Sequence, residues 1–106
     1  MIRVSVLYPR TEGAGFDMDY YRNSHMPMVL QRVGDACKGA AIDEGLAGGM
    51  PGEPAPFVAV AHMMFDSVEA FAAAFTPHAR EIMADVANYT TIRPMVQIAR
   101  VRTLTP

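Results

Sequence analysis

The chain has 106 residues and a formal net charge of −2, from Lys+Arg 9 against Asp+Glu 11. That length is one domain's worth, read here as a single domain over residues 1–106. The charge balance offers no basic stripe for nucleic acid and no polybasic membrane patch. At 51% hydrophobic residues a core can form, but a folded chain this short hides only roughly 60–70% of its surface, so a partner is expected to complete the burial.

The N-terminus enters an alternating segment at once, with no basic region leading a hydrophobic stretch of signal type. Apolar stretches such as Phe57–Phe65 fall far short of the ~20 residues that span a bilayer. The lone cysteine, Cys37, rules out an intrachain disulfide and fits a reducing compartment. A cytoplasmic location is therefore expected, with Cys37 as a small buried residue.

Ile2, Val4, Val6 and Tyr8 alternate with Arg3, Ser5 and Leu7, the two-residue period of a strand that Pro9 ends. Glu12–Phe16, with Gly13 and Gly15, reads as a flexible connection. Asp17 can cap a helix, and Asp19 adds favourable negative charge in its first turn. Met18, Tyr21, His25, Met28, Val29 and Arg32 fall at spacings of three and four and share a stripe. Pro27 has no N–H and crowds the preceding turn, which predicts a kink or break near His25. Gly34 is a reasonable stop.

Cys37–Gly48 reads as a second, weaker strand, with Ala40, Ile42 and Leu46 on one parity and glycines that point to bulges or an edge. Gly48–Pro56 is a turn-rich loop. Phe57–Phe65 is the strongest strand, apolar on both faces and so expected at the centre of a sheet. Asp66–Ser67 ends it, and Ser67 can cap a helix whose buried stripe is Val68, Phe71, Ala72 and Phe75. Thr76-Pro77 restarts that helix, and Ala79, Ile82, Met83 and Val86 continue an apolar face to Asn88. Ile92–Val101 is the last strand, placed at an edge or bulge by Pro94.

The order β-α-β-β-α-β is the ferredoxin-like arrangement, an α+β fold with a four-stranded antiparallel sheet and two kinked helices on one face. The other face would be bare. A two-fold partner pressing its own sheet there is the simplest cover, so a homodimer is expected.

Chemistry can come from three histidines and four tyrosines. His62 interrupts the apolar strand on the parity of Val58, Val60 and Met64. Either it is a core histidine bonded to a neighbour, or it moves a proton or orients a substrate in an apolar cavity. Tyr21 and His25 are four apart and share a helix face, with Tyr20 one residue round. These groups either satisfy backbone opened by Pro27 or line a functional pocket. His78 follows a proline in a helix's first turn, where the macrodipole disfavours its charged form. The catalytic candidates are His25, His62 and Tyr21; Tyr20, Asp66, His78 and Met64 are candidate substrate-binding positions. There is no Gly-rich dinucleotide fingerprint or phosphate loop, and the histidines are not at zinc-site spacing. No metal or other cofactor is expected. The nine methionines suit a pliable apolar pocket.

Phe16-Asp17-Met18-Asp19-Tyr20-Tyr21-Arg22-Asn23-Ser24-His25-Met26-Pro27 resembles the F-D-x-x-Y-Y-x-x-x-H-x-P signature of the EthD family. The segments Val58–His62, Phe65–Phe71 and Asn88–Thr90 look similar to it too. The resemblance implies a dimeric α/β barrel, two ferredoxin-like units packed sheet to sheet, with His25, Tyr20 and Tyr21 as pocket positions. The family is named for a gene cluster that breaks down ethyl tert-butyl ether beside a haem monooxygenase system. Relatives by fold include cofactor-free monooxygenases, muconolactone isomerase and haem-degrading enzymes, and some fungal members act as dehydratases or decarboxylases. Fold does not settle function. Two readings stand: a cofactor-free enzyme acting on a small apolar oxygenated compound, or an accessory protein that holds such a compound without turnover.

Overall fold

Alternation builds β1 (Ile2–Pro9) and a near-continuous apolar run builds β3 (Phe57–Phe65), and the two long strands pair at the centre of the sheet. The shorter β2 (Gly39–Glu44) and β4 (Met95–Arg100) form the edges, giving a four-stranded antiparallel sheet of order β2-β3-β1-β4. The computed structural model describes residues 1–105. Helical segments connect β1 to β2 and β3 to β4, which completes the ferredoxin-like α+β fold.

The period of two sorts the side chains onto two faces. Val4 lies opposite Met63 and Ile98, while Ser5 lies opposite His62 and Gln97. Ile2, Val4, Tyr8, Ala59, Ala61, Met63 and Phe65 are buried under the helices. On the far face, Leu7, Val58, Val60, His62 and Met64 are only half-buried.

The first helical segment starts where Asp17 accepts a hydrogen bond from the Tyr20 N–H at 3.0 Å. It runs through α1 (Met18–Tyr20), a π-helical turn (Tyr21–His25) and α2 (Met26–Val33). The widened turn is where the proline's effect appears. Pro27 has no N–H to donate, and its ring would crowd a carbonyl one regular turn back. The backbone instead lets Met26 N–H reach back to the Tyr21 carbonyl. The helix then stops at Gly34, whose positive φ of 61° favours glycine. The second segment is capped by Ser67, whose Oγ accepts from Ala70 N–H at 3.0 Å. It comprises α3 (Val68–Phe75) and α4 (Ala79–Asp85), joined by a 3₁₀ turn at Thr76–His78 and followed by another at Val86–Asn88.

Several sequence expectations shift in register. The wide turn adds a residue to the first helix, so the buried stripe becomes Tyr21, His25, Met26, Val29 and Val33, with Met28 and Arg32 only half-buried. β2 is shorter than Cys37–Gly48, and Leu46 is 90% exposed in the following loop. A Cβ on Gly45 would collide with the Phe57 carbonyl oxygen, so only glycine passes β3 where β2 ends. Cys37 is half-buried rather than buried, its thiol donating to the Gly39 carbonyl at 3.3 Å. In α3 the packed residues are Phe71, Ala74 and Phe75, while Val68 and Ala72 face out. Met83 is more than half exposed, and β4 begins after Pro94 rather than at Ile92. Among the described residues, no helix is long and apolar enough to cross a membrane.

Candidate active site

Between the helices and the sheet lies a cavity of about 280 Å³. The sheet contributes Val4, Val6, Tyr8, Ala61, Met63 and Val96; the first helical segment contributes Tyr21, His25, Met26 and Val29. Phe71, Phe75, Ile82, Met83 and Val86 of the second segment close the other side. Tyr8, Tyr21 and His25 are the only polar side chains lining it, and no Lys, Arg, Asp or Glu does so among the described residues.

His25 is 4% exposed. Its Nδ1 lies 2.8 Å from Asp85 Oδ2, near the end of α4. An ionised carboxylate only accepts, so Nδ1 carries the proton and Nε2 keeps its lone pair. Nε2 has no hydrogen bond among the described residues, and it is the free nitrogen of a ring that forms part of the cavity wall. Asp85 does not line the cavity. It opens instead to an outer groove with Tyr20, Ser24, Glu81 and Asn88, so the His25–Asp85 pair spans the wall between cavity and groove.

Three donors hold the carboxylate. Tyr20 Oη donates to Asp85 Oδ1 at 2.7 Å, and Asn88 Nδ2 donates to the same oxygen at 2.9 Å. Burial opposes ionisation of Asp85, but the hydrogen bonds from Tyr20, His25 and Asn88 outweigh it and keep its pKa below the ordinary range. Burial also dominates at His25, lowering its pKa despite the opposing pull of Asp85. The imidazole is thus neutral at neutral pH and ready to accept a proton on Nε2.

An aromatic cluster sets the ring positions. Tyr21 stacks almost parallel on His25, with centroids 5.7 Å apart, and Tyr89 packs on the same imidazole at 4.6 Å. Tyr89 is brought there by a clamp on the start of the first helix. Asp17 N–H donates to the Tyr89 carbonyl at 2.8 Å, and Thr90 Oγ1 donates to the Gly15 carbonyl at 2.7 Å. The Tyr8 and Tyr89 hydroxyls share a hydrogen bond of 2.5 Å. The buried Tyr21 hydroxyl lies close to that of Tyr8. Burial raises the pKa of all three tyrosines, so each stays a neutral hydroxyl.

The candidate residues divide between places. His25 and Tyr21 line the cavity, and Tyr20 stands behind it on Asp85. His62 and Met64 lie on the opposite face of the sheet, beside an open groove with Arg3. There His62 Nε2 meets Asp43 Oδ2 at 2.9 Å and Nδ1 meets Ser5 Oγ at 3.2 Å. Asp66 is exposed at the end of β3, and His78 is half-buried in the turn before α4; neither reaches the cavity. His25 and His62 therefore stand at separate places, because the parity of His62 in β3 addresses the face of the sheet away from the helices. Tyr8, Asp85 and Tyr89 were not read from the sequence as site residues. Asp85 had left a signal, an acid within the helical spacing Ile82, Asp85, Tyr89 on an otherwise apolar face.

The sequence matches the EthD domain over residues 15–92, a span that holds the first helical segment, Asp85 and Tyr89. The chain belongs to the EthD family. An EthD-like protein of Ralstonia eutropha JMP134 has the same structure with a TM-score of 0.92 at 49% identity, over 96% of this chain and 92% of that one. An EthD family protein of Bacillus halodurans C-125 superposes with a TM-score of 0.66 at 16% identity, covering 96% of this chain and 99% of its own. A dimeric ferredoxin-like protein of unknown function from Thermobifida fusca YX gives 0.56 at 15% identity, over 94% and 90% of the two chains. The last two show a shared fold alone. No functionally curated protein matches the sequence.

In this EthD protein the family-like stretch Phe16–Pro27 supplies both the capping Asp17 and the stacked Tyr21 and His25. The remaining polar partners come from the end of α4 and the turn after it.

Proposed function

We propose that this EthD protein is a cofactor-independent enzyme that acts on a small apolar, oxygenated compound, with His25 as its general base. The observation that carries this reading is the Asp85–His25 pair, with Nδ1 anchored at 2.8 Å and Nε2 free on the wall of an apolar cavity. A proton on an acidic C–H or O–H passes to Nε2. The bonding electrons move onto the substrate and its conjugated oxygen, and a cavity tyrosine hydroxyl stabilises that oxygen. Asp85 is the positioning residue: it fixes the tautomer and offsets the charge of the imidazolium that forms. The anion so produced is the common entry to isomerisation, dehydration, decarboxylation, and oxygenation by dioxygen, the last of which would make the protein an oxidoreductase.

A homodimer is part of this proposal. The far face of the sheet carries Leu7, Val58, Val60 and Met64 half-exposed, and a second copy would cover them. The Ser5–His62–Asp43 chain would then be a polar tie in that interface. A single half-buried cysteine fits the cytoplasm.

Catalysed deuterium uptake at the α-carbons of small neutral cyclic ketones, followed by NMR, tests the reading. The native protein is expected to accelerate exchange, and His25→Gln to lower that rate about 10²-fold or more with ketone affinity kept. Equal exchange in both proteins would overturn the base assignment. The apolar lining also favours a second reading, a carrier that holds such a compound without turnover. Tight binding with no catalysed exchange in either protein would establish it.

A further inference from the structure

The cavity wall is not equally closed all round. Val4, Tyr8, His25 and Ala61 line it with no more than 4% of their surface exposed. Met83 of α4 and Val96 of β4 line the same space, yet they are 54% and 60% exposed. A side chain that borders a cavity and also faces solvent stands on its rim. The opening therefore lies between these two residues, with half-buried Pro94 beside them. Helical geometry gives that opening a direction. Side chains two residues apart on an α-helix point about 200° apart. Asp85 is turned toward the first helical segment by its bond to His25, so Met83 leaves α4 on the opposite flank, on the side of β4. Ile82 and Val86 fill the arc between them and roof the cavity. The imidazole and the opening thus stand at opposite ends of the space.

From this placement we infer how the substrate is seated and which residue sets its size. It enters between Met83 and Val96 with its reacting carbon leading toward His25, and its trailing end is an alkyl group held between those two side chains. The inference rests on the proposed proton transfer, because it takes His25 as the reacting end. Its own claim is separate and concerns which end of the substrate can grow. A cavity of about 280 Å³ lies at the lower limit of ligand pockets, so one ring fills it and a longer chain passes out through the opening. Met83, Pro94 and Val96 offer apolar surface there, which suits a hydrocarbon chain. A substituent beside the reacting carbon meets the buried end of the cavity instead, where Val4, Tyr8 and Ala61 are closely packed. Met83 is then the specificity-determining residue for the trailing group, with Val96 as its counterpart across the gap.

Calorimetric titration of 4-methyl-, 4-propyl- and 4-pentylcyclohexanone tests this, with 2-pentylcyclohexanone as the isomer whose chain lies beside the carbonyl. A fully buried methylene is worth about fourfold in affinity, and a half-shielded one about twofold. Native protein should therefore bind the 4-pentyl compound about tenfold or more tighter than the 4-methyl compound, and about tenfold or more tighter than its 2-pentyl isomer. Met83→Trp should remove the gain from the longer chain and leave 4-methylcyclohexanone within about twofold of native. Val96→Trp should do the same from the other side of the opening, at an exposed edge-strand position that accepts an aromatic residue. Val68→Trp is the control, since Val68 is 47% exposed but does not line the cavity, and it should leave every affinity as in native. A 4-pentyl compound bound no tighter than the 4-methyl one would overturn the inference, as would equal affinity for the two pentyl isomers. So would a chain-length gain that survives both rim variants, or no binding of any of the four. Loss of ketone exchange in His25→Gln, with the two isomers bound equally by native protein, would sink this inference and leave the base assignment standing. The expected isomer and chain-length pattern, with equal exchange in native and His25→Gln proteins, would sink the base assignment alone.

Discussion

Asp85 Oδ2 and His25 Nδ1 meet at 2.8 Å although they lie 60 residues apart in the chain, one on each helical segment. The contact closes the wall between an apolar cavity and the outer groove, and it decides which imidazole nitrogen is free. Its consequences can be measured.

Asp85→Asn keeps the shape of the side chain but removes the charge. Its amide can present an N–H to Nδ1, which would move the ring proton to Nε2 and silence the base. Catalysed ketone exchange should fall about 10²-fold or more, with ketone affinity little changed. Asp85→Glu should recover part of the rate. A merely structural Asp85 would instead lower affinity and rate together, and the tautomer would be unaltered in the nitrogen NMR spectrum of His25.

Stability should weaken toward acid in two steps. Burial holds the folded His25 pKa below its unfolded value near 6.5. As the pH falls through about 6.5 the unfolded chain takes up that proton first, so this contribution is present above that pH and lost below it. The folded Asp85 pKa is also depressed, so its contribution is present above about pH 4 and is lost as the pH drops further. Melting temperatures measured from neutral to acid pH should show both, and His25→Gln should flatten the first step alone. A native profile that stayed level through pH 6.5 would contradict the burial of an uncharged imidazole.

Ala61→Leu should abolish ligand binding without unfolding the protein. Ala61 is 1% exposed and projects from β3 into the cavity, so a larger apolar side chain fills space that a ligand would take. Filling a cavity recovers roughly 24 cal/mol per Å³ where the fit is good, so the melting temperature should hold or rise. Continued ketone binding with native affinity would place the ligand elsewhere.

Val60→Glu probes the opposite side of the sheet. Val60 is half-buried on the face away from the helices, and a charge there would be expensive to cover with a second copy. Light scattering should report a dimer for the native chain and a monomer for the variant. A monomeric native protein at micromolar concentration would remove the sheet-to-sheet partner from the proposal.

Much of the architecture is legible in the chain, because the features that set it are local. Alternation in Ile2–Tyr8 placed one strand, and the apolar run Phe57–Phe65 placed a second, whose apolarity on both faces put it inside the sheet. Asp17, Ser67 and Gly34 marked helix ends through capping chemistry that acts within a few residues. Pro27 located the disturbance that turned out to be a π-helical turn. The pairing of His25 with Asp85 belonged to the tertiary structure. Strand parity gives a side chain one of two faces, but only the packed helices decide which face becomes a cavity. The packed cluster of Tyr8, Tyr21 and Tyr89 was equally out of reach, since its rings come from three distant stretches of chain that only folding assembles.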